Sequence, residues 1–167
     1  MAFCAVGTTL VAILGGYATT LVFTRGTLFD AHRWFMLDAL SGYHLIVMLI
    51  VFWLSSLYCM CYFRLEIEKE TFDTKTARRF GSLWFGSMAA MLLVLVSNNL
   101  GIMWVGIEAT TLLTAFLICI HTSPASLEAM WKYLLMCSVG VALAFTGTLF
   151  IAASTKAAGL HGSEALL

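Results

Sequence analysis

An all-α membrane protein of about five transmembrane helices is the fold this sequence predicts, and three observations carry that prediction. Of 167 residues, 61% are hydrophobic and only 11% are charged, with a mean hydropathy of +0.94. The apolar residues fall in runs of about 18 or more with few charges, the pattern of a segment long enough to cross a bilayer. A single proline in the whole chain leaves these runs free of helix breakers. A water-soluble domain of this size would expose far too much apolar surface.

The elements follow in order, as one transmembrane helical domain over 1–167. A first span covers about 5–23; its leader "MAFCAVGTTLVAILGGYATT" lacks a basic n-region and reads as a retained helix, not a cleaved signal. A second span covers about 42–63, a third 80–96, a fourth 99–120 and a fifth 124–154. At a rise of about 1.5 Å per residue each reaches across a hydrocarbon core of about 30 Å, the shortest only just. In the turn "HTSPAS", Ser123 is placed to cap the fifth helix with Pro124 at its first position. The segment "RLEIEKETFDTKTARRFG" carries Arg64, Lys69, Lys75, Arg78 and Arg79, and reads as a solvated loop. The opposite connection carries only Arg25 and Arg33. The excess of Lys and Arg puts the basic 64–79 loop in the cytoplasm, the N-terminus inside and the C-terminus outside. The tail "TKAAGLHGSEALL" is polar enough to fray.

Composition also excludes function classes. The net charge is zero, so nothing points to nucleic acid or to a polybasic lipid-binding tail. Cys4, Cys59, Cys61, Cys119 and Cys137 lie in or at the ends of apolar runs. Cys59 and Cys61 form a C-x-C pair, but a zinc site needs about four ligands and no second pair exists. No metal and no cofactor is expected. There is no G-x-G-x-x-G, no H-E-x-x-H and no cysteine set for an iron–sulfur cluster, so a catalytic site of the chain's own is not expected either.

Two charges interrupt the hydrocarbon pattern. Glu108 sits near the centre of "NNLGIMWVGIEATTLLTAFLICIH". A central charge costs about 2.5–3.5 kcal/mol on an insertion scale, and each Leu, Ile, Phe or Val returns about 0.3–0.6, so hydropathy alone tolerates it. The helical face argues for more. Gly101, Val105, Glu108, Thr111, Ala115 and Cys119 share one side, and small residues mark protein-facing surfaces in membranes. Glu108 is thereby expected to point into a bundle, where ionisable groups serve ion pathways. Lys132 is the second charge. One reading pairs it with Glu128, four residues earlier in the favourable order; the other brings it to Glu108 across the short turn. At about 4 Å and an effective dielectric near 20 the second contact is worth about 4 kcal/mol, against about 2.3 kcal/mol to move one charge through 100 mV. Making and breaking it could load and release a proton. His44 could extend a proton path or be an interfacial histidine. Asn98 and Asn99 could hold water or cap helix termini.

"SNNLGIMWVGIEATTLLTAFLICIH", followed by "SLEAMWKYLLMCSVGVALAFTGTL", resembles the antiporter-like, proton-translocating membrane subunits of complex I and of energy-converting hydrogenases, nearest to the hydrogenase-4 component F type. "LDALSG" at 37–42 fits the same family, and the resemblance runs from about Phe35 to Phe150. It implies that Glu108 is a proton-pathway residue, that Lys132 belongs to the same buried polar axis, and that Asp38 is a structural motif residue. Family members are far longer, built from inverted helical repeats. The resemblance implies that the chain corresponds to part of the first repeat, shortened to its N-terminal part, without the next helix and its "W-L-P-D-A-H" motif, which leaves three readings open: one piece of a split subunit, a shortened accessory subunit, or a fragment. The resemblance implies a membrane-arm subunit in a bacterial or archaeal cytoplasmic membrane, contributing part of a proton or sodium pathway. Its partners would be other membrane subunits, including a chain supplying the missing antiporter helices, and the lipid bilayer. The alternative is a structural or assembly subunit of the same complex that moves no ions.

Overall fold

The computed structural model describes residues 2–68 and 73–157. Five helices dominate: α1 (Ala2–Arg25), α2 (Ala39–Glu68), α3 (Thr74–Val96), α4 (Leu100–Ile118) and α5 (Pro124–Ala157). Each contains a stretch long and apolar enough to cross a membrane: Val6–Arg25, Ala39–Phe63, Lys75–Val96, Leu100–Ile118 and Pro124–Ala157. The chain is an integral membrane protein.

Helix ends are fixed by local chemistry. Gly26 adopts φ 85°, and its N–H donates to the Val22 carbonyl at 2.9 Å, a left-handed stop that glycine accepts without steric cost. Asp38 begins α2: its Oδ1 accepts from the Ser41 N–H at 2.7 Å. Asn99 begins α4, its side chain accepting from the N–H groups of Gly101 and Ile102. Ser123 caps α5 through the Ser126 N–H at 3.1 Å, and the Ser126 hydroxyl in turn accepts from the Ser123 N–H at 2.9 Å. Pro124 takes the first helical position, as the sequence predicts.

Two connections differ from the sequence reading. The expected loop over 64–79 is largely helix, because α2 continues to Glu68 and α3 begins at Thr74. Hydropathy marks where a span ends, not where a helix ends, and Arg, Leu, Glu and Lys are good helix formers. Lys75, Arg78 and Arg79 therefore ride on the first turns of α3, while Lys69 and the side chain of Arg64 lie outside the described residues. The connection between α1 and α2 is a small β-hairpin, β1 (Leu28–Phe29) with β2 (Met36–Leu37), antiparallel with Leu28 opposite Leu37 and Phe29 opposite Met36.

The buried side chains mix apolar groups, among them Val22, Leu45, Leu49, Phe63, Phe80, Met88 and Ala115, with the small hydroxyls Thr8, Thr19, Ser56 and Ser87. Large apolar groups such as Leu14, Tyr58, Met136 and Leu143 face outward. This is the arrangement lipid demands, since apolar tails exert no hydrophobic force between helices and close approach of small residues holds them together. The buried hydroxyls are satisfied: Thr19 donates to the Gly15 carbonyl, Ser87 to the Trp84 carbonyl, and Ser56 accepts the Trp84 indole N–H at 3.1 Å. α1 packs along α2, and α3 along α4. At Gly106 an added Cβ would stand 2.6 Å from Val94 Cγ2 and 3.3 Å from the Ala90 carbonyl oxygen, so glycine is what lets α4 seat on α3.

Candidate functional site

Glu108 is the ninth residue of the 19-residue α4, which places it about 12 Å from the start and 15 Å from the end of that span. It is half-buried and forms no hydrogen bond or ion pair among the described residues. The face expected to carry it into a bundle is divided. Ala115 and Cys119 are buried, but Gly101 is exposed and Val105 is 65% exposed. The side of α4 that seats on α3 is the Gly106 side, more than a third of a turn away from Glu108. Small size at Gly101 and Ala115 suggested one continuous contact surface, whereas the contact with α3 is decided by Gly106 and Leu113. Glu108 stands on the border between an outward stripe, Val105 and Leu112, and the side of α4 that meets α5.

That α4–α5 seam is polar in a way the sequence reading overlooked. Thr110 donates to the Gly106 carbonyl, Thr111 to Ile107 and Thr114 to Thr110, at 2.8–2.9 Å. The Tyr133 hydroxyl of α5 meets Thr114 Oγ1 at 2.9 Å. Since Thr114 already donates to backbone, Tyr133 is the donor in that contact. Nearby, Trp104 packs edge-on to Phe145 with ring centroids 5.4 Å apart, and its buried indole N–H has no partner among the described residues. Three threonines at 110, 111 and 114, two to six residues beyond Glu108, were the available signal.

Lys132 does not reach Glu108. It forms an ion pair with Glu128 on the outward side of α5, where the two side chains are 72% and 66% exposed. The Tyr133–Thr114 contact sets the depth of this part of α5. Lys132, one residue before Tyr133, therefore lies about seven residues, or about 10 Å, nearer the α4–α5 turn than Glu108 does. Residues four apart on one helix already face one another, and that local pairing wins over a contact across the axial offset.

A cleft of about 910 Å³ opens between α2, α3, α4 and α5, its polar groups being Tyr43, His44, Thr110, Thr111 and Tyr133; Glu108 does not line it. His44 is exposed, stacks edge-on with Tyr43, and its Nδ1 bonds the Leu40 carbonyl at 2.9 Å. That makes Nδ1 the protonated nitrogen of the neutral ring and leaves Nε2 as the acceptor.

The remaining motif residues hold backbone. Asn99 caps α4. Asn98 does something different: its Nδ2 donates to the Arg33 carbonyl at 2.8 Å and its N–H to the Trp34 carbonyl at 2.9 Å, tying the hairpin to the α3–α4 turn. Asp38 lies just outside the span, and the Ser41 N–H and hydroxyl hold its carboxyl below the usual carboxylate range. Its depressed value stabilises the fold above the ordinary aspartate pKa, and this contribution fades as pH falls below about 4. Among the described residues no three His, Cys, Asp or Glu side chains stand together as a metal site.

No family model matches the chain. It is 34% identical over 122 residues to the hydrogenase-4 component F homolog of Methylacidiphilum infernorum, covering 73% of this chain and 26% of that protein. It is 28% identical over 128 residues to NADH-quinone oxidoreductase subunit N of Campylobacter hominis, covering 77% of this chain and 25% of that protein. The chain thus spans about a quarter of the length of the curated relatives it matches.

Proposed function

Homologous over about three quarters of its length to antiporter-like membrane subunits, this chain is, we propose, a membrane-arm subunit of a hydrogenase-type or complex-I-like respiratory assembly, contributing part of a proton or sodium pathway. The observation that carries the reading is the carboxyl of Glu108, held at mid-span beside a threonine-rich seam. Among the described spans it is the one acid near the middle of the hydrocarbon, and a charge there is rare outside ion pathways and buried pairs. Glu108 is the protonatable group in this proposal. Thr111 lies next to it on the α5-facing flank of α4, with the Thr114–Tyr133 contact farther round that flank, and His44, lining the cleft, is a second group able to exchange a proton.

The partner charge comes from elsewhere. At that axial offset of about 10 Å and an effective dielectric near 20, the attraction between Lys132 and Glu108 is at most about 2 kcal/mol. That falls short of the about 2.3 kcal/mol per charge that 100 mV demands, and Lys132 is already engaged by Glu128. On this proposal, a cation outside these five helices biases Glu108, supplied by other membrane subunits of the assembly. The excess of Lys and Arg at the α2–α3 end supports a reading in which that end is cytoplasmic and the hairpin end outside, in a bacterial or archaeal cytoplasmic membrane.

The second reading is a structural or assembly subunit that moves no ions, and the Glu128–Lys132 pair favours it, because a self-satisfied pair needs no gating role. Glu108→Gln separates the two in membrane vesicles carrying the whole assembly. A relay predicts that ions moved per electron fall while the assembly stays intact; a scaffold predicts an unchanged ratio.

A further inference from the structure

We infer that the hairpin between α1 and α2 is a phospholipid anchor that seats Trp34 and Phe29 at the boundary between headgroups and acyl chains. The depth of its tip is fixed by two contacts to the α3–α4 turn: the Trp34 and Arg33 carbonyls accept from Asn98, and Phe35 forms an antiparallel bridge with Ser97. Ser97 and Asn98 lie between two spans, Lys75–Val96 and Leu100–Ile118. The hairpin therefore does not project into water. It lies back along the membrane surface, with Trp34 held at the level where those spans end.

At that level the side chains suit lipid. Trp34 is 55% and Phe29 56% exposed, with Leu28 and Phe35 also exposed. Tyr43, four residues into α2, adds a third exposed aromatic at the same end. Amphipathic rings concentrate at such boundaries because one part of the ring stays apolar while the other reaches hydrated headgroups. Arg33, at φ 56° on the turn, lies over the Phe29 ring at 5.8 Å, which places a guanidinium beside the apolar cluster at the height of lipid phosphates. The hairpin continues the lipid-facing surface of α1 and α2, and that continuity favours lipid over a protein partner. Its consequence is positional: the strap sets the depth of the Asp38 cap and of the α3–α4 turn together.

The test replaces Trp34 with the photoreactive analogue p-benzoylphenylalanine in the full chain, irradiates it in the host's own membranes, and reads the adducts by mass spectrometry. A phospholipid adduct is expected. Adducts to another protein chain alone, or no adduct, overturn the anchor. A second measurement uses the native tryptophan in liposomes, with Trp34→Phe as the blank. The difference emission should lose more intensity to lipids brominated near the headgroup than to lipids brominated at the chain end. No loss to either lipid, or a greater loss to the deep one, also overturns it.

Discussion

The α3–α4 pair and α5 are neighbours in the same bilayer, yet they are built on different terms. Along α3–α4 the backbones close on small residues: Gly106 lies against Ala90 and Val94, and Gly86 against Leu113. Helix α5, the longest at 34 residues, buries none of them. It touches α4 through single contacts, Tyr133 with Thr114, Phe145 with Trp104, and Ser126 with Cys119. Its own small residues Gly140 and Gly147 meet nothing within 4 Å. Glycine content therefore does not make a contact; a facing helix does. On the proposed function, α5 is the side turned to the rest of the membrane arm.

The difference between these two regions can be broken or sharpened by substitution. Gly106→Ala has the largest expected effect, since the added methyl collides with Val94 and crowds the Ala90 carbonyl; overpacking of this kind costs about 1–3 kcal/mol. Unfolding in mixed micelles would show it as a clear loss of stability, and an unchanged transition would mean that the pair is looser than described. Tyr133→Phe removes the one hydroxyl contact that α5 makes with the threonine seam, worth about 0.5–1.5 kcal/mol. Hydrogen exchange should rise on α5 and leave α3 unchanged.

The ion pair comes next. A double-variant cycle with Glu128→Gln and Lys132→Met should give a coupling of about 0.3–0.5 kcal/mol in the isolated chain, as for other exposed pairs four residues apart. In the assembled complex a larger coupling is expected, because a partner covering α5 would desolvate the pair. Equal values in both settings would leave α5 facing lipid or water. Gly140→Ala is the smallest: with open space at that position it should cost nothing measurable, in contrast to Gly106→Ala. A loss comparable to that of Gly106→Ala would show that α5 packs against something unseen within this chain.

How much of this was legible beforehand divides along the same line. That five helices are long and apolar enough to cross a membrane was legible from hydropathy, because lipid selects composition directly. Helix ends beyond the lipid were not, since residues 64–68 and 74–79 are helical for local reasons that hydropathy ignores. The hairpin escaped notice because two-residue strands leave no alternation to read, and because its clamp, Asn98, lies 65 residues from Arg33. At the site, the mid-span position of Glu108 was visible in its flanking apolar run. Its separation from Lys132 was not, because the residues joining α4 to α5 and the Tyr133–Thr114 contact fix relative depth, and neither has a signature in spacing along one helix.

Proton exchange at Glu108 is read most directly by infrared difference spectroscopy on the assembled complex during turnover. The protonated-carboxyl stretch of Glu108 should appear and disappear as the ion gradient builds, and Glu108→Gln should delete that band while the assembly persists. A difference spectrum identical in the parent and Glu108→Gln complexes would contradict the relay.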